Sequence, residues 1–198
     1  MSDTKTLRVY AQKAQEYQDI VRTDRPDTAL QRFLDHATPG GRVLDIGCGP
    51  GHAAGFMATA GLHTEAWDPV PEMRALAAAH PAVTVRDAGY ADLKSAESYH
   101  GIWANFSMLH TPLAQWPAQF MAVHGALVPG GLFHFGTKLG TGEIRDSIGR
   151  LYSYMEEPAL KALMVKTGFT IEYERKGSEA GLSGEIAPFI ILQGRKIA

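Results

Sequence analysis

A short apolar run that ends in a glycine-rich turn constrains the fold of this chain more than any other feature. The run Arg42–Ile46 (RVLDI) is typical of a buried parallel strand, and residues 47–51 (GCGPG) follow it directly. Glycines in such a turn let the backbone bend tightly and approach a ligand closely. In an open parallel sheet this turn lies at the carboxyl edge, where ligands bind. The sequence therefore predicts a ligand-binding α/β domain.

Helix-like and strand-like patterns alternate on both sides of the turn. The predicted elements are helices over 7–21 and 30–37, strand 42–46, a helix over about 51–60, strand 64–67, helix 72–79, strands 82–86 and 101–105, a helix over about 113–127, a turn at 128–131, strand 132–137, a helix opened by Pro158 and stopped by Gly168, and strands near 169–175 and 188–193. Strands that alternate with helices form parallel sheets. We therefore expect an α/β fold with a single doubly wound, mainly parallel sheet and helices on both faces.

The composition is that of one ordinary globular domain. The chain has 198 residues, of which 45% are hydrophobic and 20% charged, and its formal net charge is -2. The sequence has no basic stripe suited to phosphate groups, so nucleic acid is not an expected partner. No apolar stretch approaches the roughly twenty residues of a membrane span, and the first residues lack an apolar leader segment. We therefore expect a cytoplasmic protein without a membrane partner.

The spacing of the glycines separates two classes of nucleotide ligand. A dinucleotide fingerprint reads GxGxxG, whereas here the glycines are Gly47, Gly49 and Gly51, and His52 stands at the third fingerprint position. An NAD-dependent oxidoreductase is therefore the less favoured alternative. One acid, Asp45, comes just before the turn. A second, Asp68, follows the second predicted strand, where such folds place an acceptor for ribose hydroxyls.

Residues 43–51 (VLDIGCGPG) resemble the first motif of class I S-adenosylmethionine-dependent methyltransferases. Three later segments resemble further motifs of that family in the same order: Asp87-Ala88, Asn105-Phe106 and residues 127–131 (LVPGG). The resemblance covers about residues 40–137, and in the family an N-terminal helix caps the methionine end of the cofactor. It implies S-adenosylmethionine as cofactor and a seven-stranded sheet with an antiparallel last strand.

The strand ends and the resemblance together give a set of residues expected to bind S-adenosylmethionine. They are Tyr17, Asp45, Gly47, Cys48, Gly49, Asp68, Pro69, Met73, Asp87, Ala88, Asn105 and Phe106. Simpler roles stay open, because Asp68 also suits a helix cap, Asp87 a turn, and Tyr17 packing of its helix together with Tyr10. Cys48 is the only cysteine, so we expect no disulfide and no metal site. The resemblance implies that it makes a backbone contact and is not a nucleophile.

Residues after the fourth and fifth strands are expected beside the transferred methyl group. His110 is a candidate general base, although a lone histidine also suits a structural role. Over 138–152, flexible glycines alternate with charges, which fits either a solvated loop or recognition of a small polar or anionic acceptor. The candidate acceptor-binding residues are Lys138, Glu143, Arg145, Arg150 and Tyr152.

These expectations define one main enzyme hypothesis and, beside the less favoured oxidoreductase, one further alternative. We expect a monomer or homodimer that moves a methyl group from S-adenosylmethionine to a small-molecule acceptor. The expected parts are capping helices (1–38), a cofactor-binding core (39–137), a substrate-side loop (138–157) and a C-terminal helix with strands (158–198). A protein that binds S-adenosylmethionine without turnover has the same motifs and remains the alternative. Motifs of DNA-amino and cytosine-C5 methyltransferases do not occur, and one cysteine cannot form an arsenite-type thiolate site.

Overall fold

A computed structural model describes residues 3–94 and 96–197 as alternating helices and strands. The helices are α1 (Thr4–Gln12), α2 (Ala14–Val21), α3 (Thr28–His36), α4 (His52–Thr59), α5 (Pro71–Ala77), α6 (Trp116–Ala126) and α7 (Glu157–Lys166). The strands are β1 (Arg42–Ile46), β2 (His63–Trp67), β3 (Val83–Arg86), β4 (Tyr99–Asn105), β5 (Leu127–Lys138), β6 (Gly142–Arg145), β7 (Leu151–Tyr154), β8 (Phe169–Ala180) and β9 (Ile186–Lys196). Within these described residues, no helix has the length and apolar character that crossing a membrane requires.

Seven of the strands form one sheet in the order β3-β2-β1-β4-β5-β9-β8. The strands from β3 to β5 pair in parallel, whereas β9 runs antiparallel to both β5 and β8. The prediction of a seven-stranded, mainly parallel sheet with an antiparallel last strand is therefore confirmed. The strand order changes direction between β1 and β4, and such a switch point is where ligands bind in open sheets.

Helices cover both faces of the sheet because successive strand residues point to opposite sides. Val43 belongs to an apolar cluster with Phe33 of α3, whereas its neighbour Leu44 packs in a second cluster with Phe120 of α6 and Met164 of α7. A central strand with both faces buried reads as a nearly continuous apolar run. This burial explains why β1 could be predicted with its correct bounds.

The helical pattern over 7–21 is divided into two helices in the structure. Lys13 leaves the helical conformation with φ -112° and ψ 19°, so α1 and α2 are separate. The break brings Tyr10 of α1 and Tyr17 of α2 into an edge-to-face contact, with ring centroids 5.3 Å apart. Both helices pack against α5, where Met73 is buried.

A β-hairpin occupies most of the segment expected as a substrate-side loop. β6 and β7 pair antiparallel, and only β7 has buried residues. Ser153 of β7 donates a hydrogen bond from Oγ to the Thr111 carbonyl oxygen at 2.7 Å, which anchors the hairpin beside the turn after β4. Two strands of four residues, separated by a short segment with charges and a glycine, give too short a pattern to predict. β5 also begins earlier than expected, so the predicted turn at 128–131 lies within that strand.

Three contacts fasten one face of α1 to this hairpin and to the segment that joins its strands. In order along α1 they are the Asp3–Arg145 ion pair at 2.8 Å, the hydrogen bond from Leu151 N to Thr6 Oγ1 at 2.8 Å, and the hydrogen bond from Arg150 Nη1 to the Tyr10 hydroxyl at 2.7 Å. The N-terminal helix is therefore held in place by a part of the chain that follows the fifth strand.

Candidate active site

A cavity of about 520 Å³ opens at the carboxyl edge of the sheet. The turns after β1, β2 and β4 and the end of β5 contribute to its lining. Further lining residues come from helices α1 to α5 and the segment between α2 and α3, from the turn after β3, from Arg150 and Tyr152 in and just before β7, and from residues 179–182 at the end of β8 and directly after it. Because it spans the strand ends on both sides of the switch point, one cavity joins the two halves of the sheet.

The glycine turn after β1 forms because its glycines adopt positive φ. Gly47, Gly49 and Gly51 have φ of 72°, 53° and 82°, a region that other residues rarely enter. The backbone N–H groups of Gly47 and Cys48 both donate to the Trp67 carbonyl oxygen, at 2.7 and 3.1 Å. These bonds join the turn to the end of β2, and residues 47–50 line the cavity.

Ser107, which was not predicted as a site residue, ties the turn to the end of β4. Its Oγ donates to the Ile46 carbonyl oxygen at 2.8 Å and therefore accepts from the Tyr90 hydroxyl, also at 2.8 Å. A Cβ atom on Gly47 would lie 2.2 Å from the Ser107 Cβ. The turn therefore has no space for a side chain at position 47.

Two buried carboxyl groups, Asp45 and Asp68, lie at the ends of β1 and β2 and line the cavity. Asp68 accepts hydrogen bonds from the backbone of Gly49 (2.9 Å) and Val70 (2.8 Å). Asp45 Oδ2 is buried without a hydrogen-bond partner among the described residues. Desolvation is the main cause that raises the pKa of Asp45 to about 8 and that of Asp68 to about 6. Burial therefore disfavours two negative charges at these strand ends, and a cationic ligand beside them would offset that effect.

Replacing Asp45 by asparagine is expected to stabilise the ligand-free protein at high pH. The folded-state pKa of about 8 lies above the ordinary 3.8, so the carboxyl group contributes stability below pH 4 that is lost as pH rises to about 8. Asparagine does not titrate. Its advantage in unfolding free energy should therefore grow between pH 5 and pH 9 by roughly 2 kcal/mol or more, while affinity for S-adenosylmethionine falls.

Denaturant unfolding of the two proteins at several pH values measures this difference. Asp35→Asn, on an exposed position of α3, controls for the loss of a charge as such. Parallel stability curves for wild type and Asp45→Asn would show that Asp45 does not hold a buried proton.

The other cofactor-binding candidates near the turn also line the cavity. The Tyr17 ring lies over the turn, because a Cβ on Gly49 would be 3.4 Å from Tyr17 Cε1. Pro69 and the buried Met73 line the cavity beside Asp68. Desolvation, with the nearby Asp45 and Asp68, raises the pKa of the Cys48 thiol well above its usual value. A raised pKa favours the protonated thiol at neutral pH, which is less nucleophilic than the thiolate.

Asp87 and Ala88 are not among the residues that line the cavity. The Asp87 side chain is 70% exposed and pairs with Arg74 at 3.1 Å. Arg74 also donates to the Asp68 carbonyl oxygen at 2.9 Å, so this ion pair connects the ends of β2 and β3. Gly89 and Tyr90, directly after them, do line the cavity. The turn after β3 therefore borders the cavity through Gly89 and Tyr90, whereas Asp87 pairs with Arg74 outside the cavity lining.

Asn105 and Phe106 line the cavity at the end of β4. His134 accepts from the Gln193 amide at Nδ1, so its Nε2 donates to Asn105 Oδ1 at 3.1 Å. Phe106 has a φ of 52°, which is unusual for a residue with a side chain. Strained backbone of this kind persists where the surrounding structure fixes it, often at functional sites.

A chain of hydrogen bonds joins α1, the turn after β4 and the β6–β7 hairpin inside the cavity. Arg150 Nη1 donates to the Tyr10 hydroxyl at 2.7 Å, and that hydroxyl donates to His110 Nε2 at 2.8 Å. His110 Nδ1 must carry the hydrogen, because it lies 2.7 Å from the Leu151 carbonyl oxygen, which only accepts. Burial lowers the pKa of His110 to about 4, so the ring is neutral at pH 7.

The structure separates the five candidate acceptor-binding residues into two groups. Lys138, Arg150 and Tyr152 line the cavity, whereas Glu143 and Arg145 do not. Glu143 lies on the exposed strand β6, where its carboxylate accepts a hydrogen bond from Leu113 N. Arg145 lies on the same strand and is used by the ion pair with Asp3 described above. Strand alternation and pairing, which the sequence pattern does not show, decide which charges reach the cavity.

Several cavity residues had no sequence signal of their own. The sequence places Tyr10 in the capping helix but predicts no cavity contact for it, and no motif includes Tyr90 or Ser107. The segment 179–182 lies far along the chain in a region without a recognised motif. Only the helical spacing of Tyr10 and Tyr17, which places both on one face, gave a usable signal.

A family model described as a methyltransferase domain matches residues 17–174 of the chain. A search of curated proteins gave no significant match. Among solved structures, 1,6-didemethyltoxoflavin-N1-methyltransferase from Burkholderia thailandensis, crystallised with 1,6-didemethyltoxoflavin and S-adenosylhomocysteine, is 20% identical. Its TM-score is 0.72, over 96% of this chain and 88% of that one.

Two other solved structures show the same similarity of fold. A SAM-dependent methyltransferase from Methanosarcina mazei is 15% identical with a TM-score of 0.73, over 87% of this chain and 98% of that one. Phosphoethanolamine N-methyltransferase 2 from Haemonchus contortus, in complex with phosphomonomethylethanolamine and S-adenosylhomocysteine, is 15% identical with a TM-score of 0.74. That match covers 98% of this chain and 59% of the other.

The structural likenesses show the fold, and the family match extends over well more than half of the chain, from α2 to β8. The sheet order and the glycine turn agree with that match. The chain belongs to the methyltransferase-domain family and is a class I, Rossmann-like S-adenosylmethionine-dependent methyltransferase.

Proposed function

We propose that the chain methylates a small molecule held at the Tyr10–His110 end of the cavity. The observation that carries this proposal is the continuity of the cavity: the glycine turn and Asp68 line the same space of about 520 Å³ as Tyr10, His110 and Lys138. Methyl transfer requires the donor and the acceptor side by side in a fixed geometry. The volume lies within the range of small-molecule sites.

The turn and the two acids suit the cofactor. Each Asp68 oxygen accepts one hydrogen bond from the backbone, which leaves acceptor capacity for the ribose hydroxyls. A cationic ligand beside the unpartnered Asp45 Oδ2 would favour ionisation of this carboxyl group, whose pKa burial raises to about 8. The glycine turn and Tyr17 would hold the methionine part, and Asn105 and Phe106 would lie beside the sulfonium. Bound S-adenosylmethionine supplies an already activated methyl group.

Tyr10 and His110 would remove the proton that an N–H or O–H acceptor loses. A proton that reaches the Tyr10 oxygen is matched by transfer of the Tyr10 proton to His110 Nε2, 2.8 Å away. Arg150, at 2.7 Å, stabilises negative charge on the Tyr10 oxygen during this transfer. His110 thus acts as the general base through Tyr10, and its Nδ1–H bond to Leu151 fixes the required tautomer.

The ligands of two solved structures support the acceptor class. The Burkholderia enzyme holds 1,6-didemethyltoxoflavin and the Haemonchus enzyme holds phosphomonomethylethanolamine, and both are small molecules. The two ligands differ in chemistry, so they support the size of the acceptor and leave its identity to experiment.

Incubation with methyl-labelled S-adenosylmethionine and fractionated metabolites tests the proposal. We expect formation of S-adenosylhomocysteine together with a labelled small molecule, which mass spectrometry identifies. Label appearing only in protein or nucleic acid would contradict a small acceptor. S-adenosylhomocysteine binding without any labelled product would instead favour the cofactor-binding protein without turnover.

Replacing Tyr10 by phenylalanine is expected to lower kcat for the identified acceptor by about 100-fold, the order of magnitude of a lost proton-transfer group. The variant keeps the ring that packs on Tyr17 and loses only the hydroxyl between Arg150 and His110. Affinity for S-adenosylhomocysteine should stay within about twofold. Tyr154→Phe, on β7 and outside the cavity lining, is the matched control. An unchanged kcat in Tyr10→Phe would remove this proton path.

A further inference from the structure

Arg150 carries a charge and yet its side chain is only 1% exposed. It lines the cavity from the segment between β6 and β7. Its Nε donates to Asp146 Oδ2 at 2.9 Å, and its Nη1 donates to the Tyr10 hydroxyl at 2.7 Å. A guanidinium withdrawn from water to this degree is stable only when its N–H groups have partners.

One nitrogen of this guanidinium has no hydrogen-bond acceptor among the described residues. Nη2 lies 2.8 Å from the Asp146 oxygen that already binds Nε, but its N–H bonds are not aligned with that oxygen, so the contact is an ion pair without a hydrogen bond. Nη2 is also 3.9 Å from the point where a Cβ on Gly181 would stand, and Gly181 lines the cavity. Nη2 is thus a buried donor without an acceptor, and the position next to it in the cavity lining carries no side chain.

Two more donors border the same part of the cavity. The Tyr152 hydroxyl is 3.6 Å from the same Gly181 point, and within the described part of the chain nothing hydrogen-bonds to it. Lys138 Nζ pairs with Glu179 Oε1 at 3.2 Å, but the Glu179 side chain is 48% exposed. Lys138 Nζ also donates to the Glu179 carbonyl oxygen at 3.4 Å, and rotation of the exposed Glu179 carboxylate into water would leave the other ammonium hydrogens for a ligand.

We propose that the methyl acceptor carries an oxyanion, a carboxylate or a phosphate, which binds to Arg150 Nη2, the Tyr152 hydroxyl and Lys138. This inference rests on the proposed methylation of a small molecule. A guanidinium edge matches two oxygens of such a group, and the low dielectric around a buried cation strengthens the interaction. The oxyanion anchors the acceptor, and Arg150 Nη1 keeps the Tyr10 hydroxyl beside it.

An oxyanion can reach Arg150 from two sources, the acceptor or the methionine carboxylate of the cofactor. Calorimetric titrations with inorganic phosphate and with acetate distinguish them in two forms of the protein. One form is saturated with S-adenosylhomocysteine, and the other with 5′-methylthioadenosine, which lacks the carboxylate. The affinity for S-adenosylhomocysteine is measured first, so failure of cofactor binding is seen separately from failure of the anion subsite.

The decisive variant is the double substitution Arg150→Met/Asp146→Asn. Removing Arg150 alone would leave Asp146 as an unpaired buried charge and destabilise the fold. Asparagine at 146 keeps an acceptor for the Arg150 backbone N–H, which bonds to Asp146 Oδ1 at 2.8 Å. We expect phosphate or acetate to bind the wild-type S-adenosylhomocysteine complex and to bind the double variant at least tenfold more weakly.

Two single variants make the test independent of the double one. Gly181→Asp places a carboxylate within reach of Nη2 and should abolish anion binding while S-adenosylhomocysteine still binds. Arg145→Met removes an exposed arginine of the same hairpin that lies outside the cavity lining, and it should leave anion affinity within about twofold of wild type.

Three results would overturn the proposal. The first is that neither anion binds the wild-type S-adenosylhomocysteine complex. The second is that the anions bind the 5′-methylthioadenosine complex but not the S-adenosylhomocysteine complex, which would assign Arg150 to the cofactor carboxylate. The third is wild-type anion affinity in both the double variant and Gly181→Asp.

Discussion

Replacing Gly47 by alanine is expected to weaken S-adenosylhomocysteine binding by roughly 100-fold or more. The φ of 72° is unfavourable for alanine by about 1 to 2 kcal/mol. The new Cβ would also lie 2.2 Å from the Ser107 Cβ, and relief of such overpacking costs about 1 to 3 kcal/mol. Relief of both effects would displace the turn, in which the Gly49 N–H donates to Asp68. Isothermal titration calorimetry measures the loss.

Two control variants separate the effect of the unfavourable φ from that of the crowding against Ser107. Gly40→Ala has a similar φ of 65° but no neighbouring atom within 4 Å, so it should lower stability without changing cofactor affinity. Gly47→Ala/Ser107→Gly removes the crowding and keeps the unfavourable φ, so it should recover part of the affinity. Full affinity in Gly47→Ala itself would show that the turn does not hold the cofactor.

Replacing Asp68 by alanine is expected to weaken S-adenosylmethionine binding by about 1.5 to 3 kcal/mol, or about 10- to 150-fold. The change removes an ionised acceptor for two ribose hydroxyls. It also removes the partner of the Gly49 and Val70 N–H groups, so the turn loses its support. Asp68→Glu keeps the charge and should be milder. Measurement at pH 8 keeps Asp68 ionised, since its pKa is about 6.

Asp87→Ala is the matched control, because it decides between the sequence expectation and the geometry. Adenine contact by Asp87 predicts a loss of affinity. Its exposed ion pair with Arg74, outside the cavity lining, predicts a change within about twofold. Unchanged affinity in Asp68→Ala would place the ribose elsewhere.

The fold was predictable where each strand is buried on both faces and bounded by glycine. β1 and its turn carry a dense local pattern, and the same pattern placed Asp45 and Asp68 at neighbouring strand ends. Local pattern was weaker for β6 and β7, because half of their residues face water and the strands are short. The sequence pattern therefore predicted a loop where the structure has the β6–β7 hairpin.

The acceptor side of the site was less predictable, because its contacts join distant parts of the chain. The bond between Tyr10 and Arg150 spans 140 positions, and the bond between Tyr10 and His110 spans 100. No single-sequence pattern reports such pairs. The sequence gives no difference between Arg145 and Arg150. In the structure, Arg145 pairs with Asp3 outside the cavity lining, whereas Arg150 lines the cavity.

The contacts that hold α1 in place join it to residues that are synthesised much later. Asp3, Thr6 and Tyr10 contact residues that lie 142, 145 and 140 positions later in the chain. During synthesis, α1 emerges before the β6–β7 hairpin and cannot dock on it until residue 151 has left the ribosome. Closing a loop of this length is entropically unfavourable and slow. The N-terminal cover is therefore completed late, and a nascent chain that stops before β7 has a glycine turn but an uncovered cofactor site.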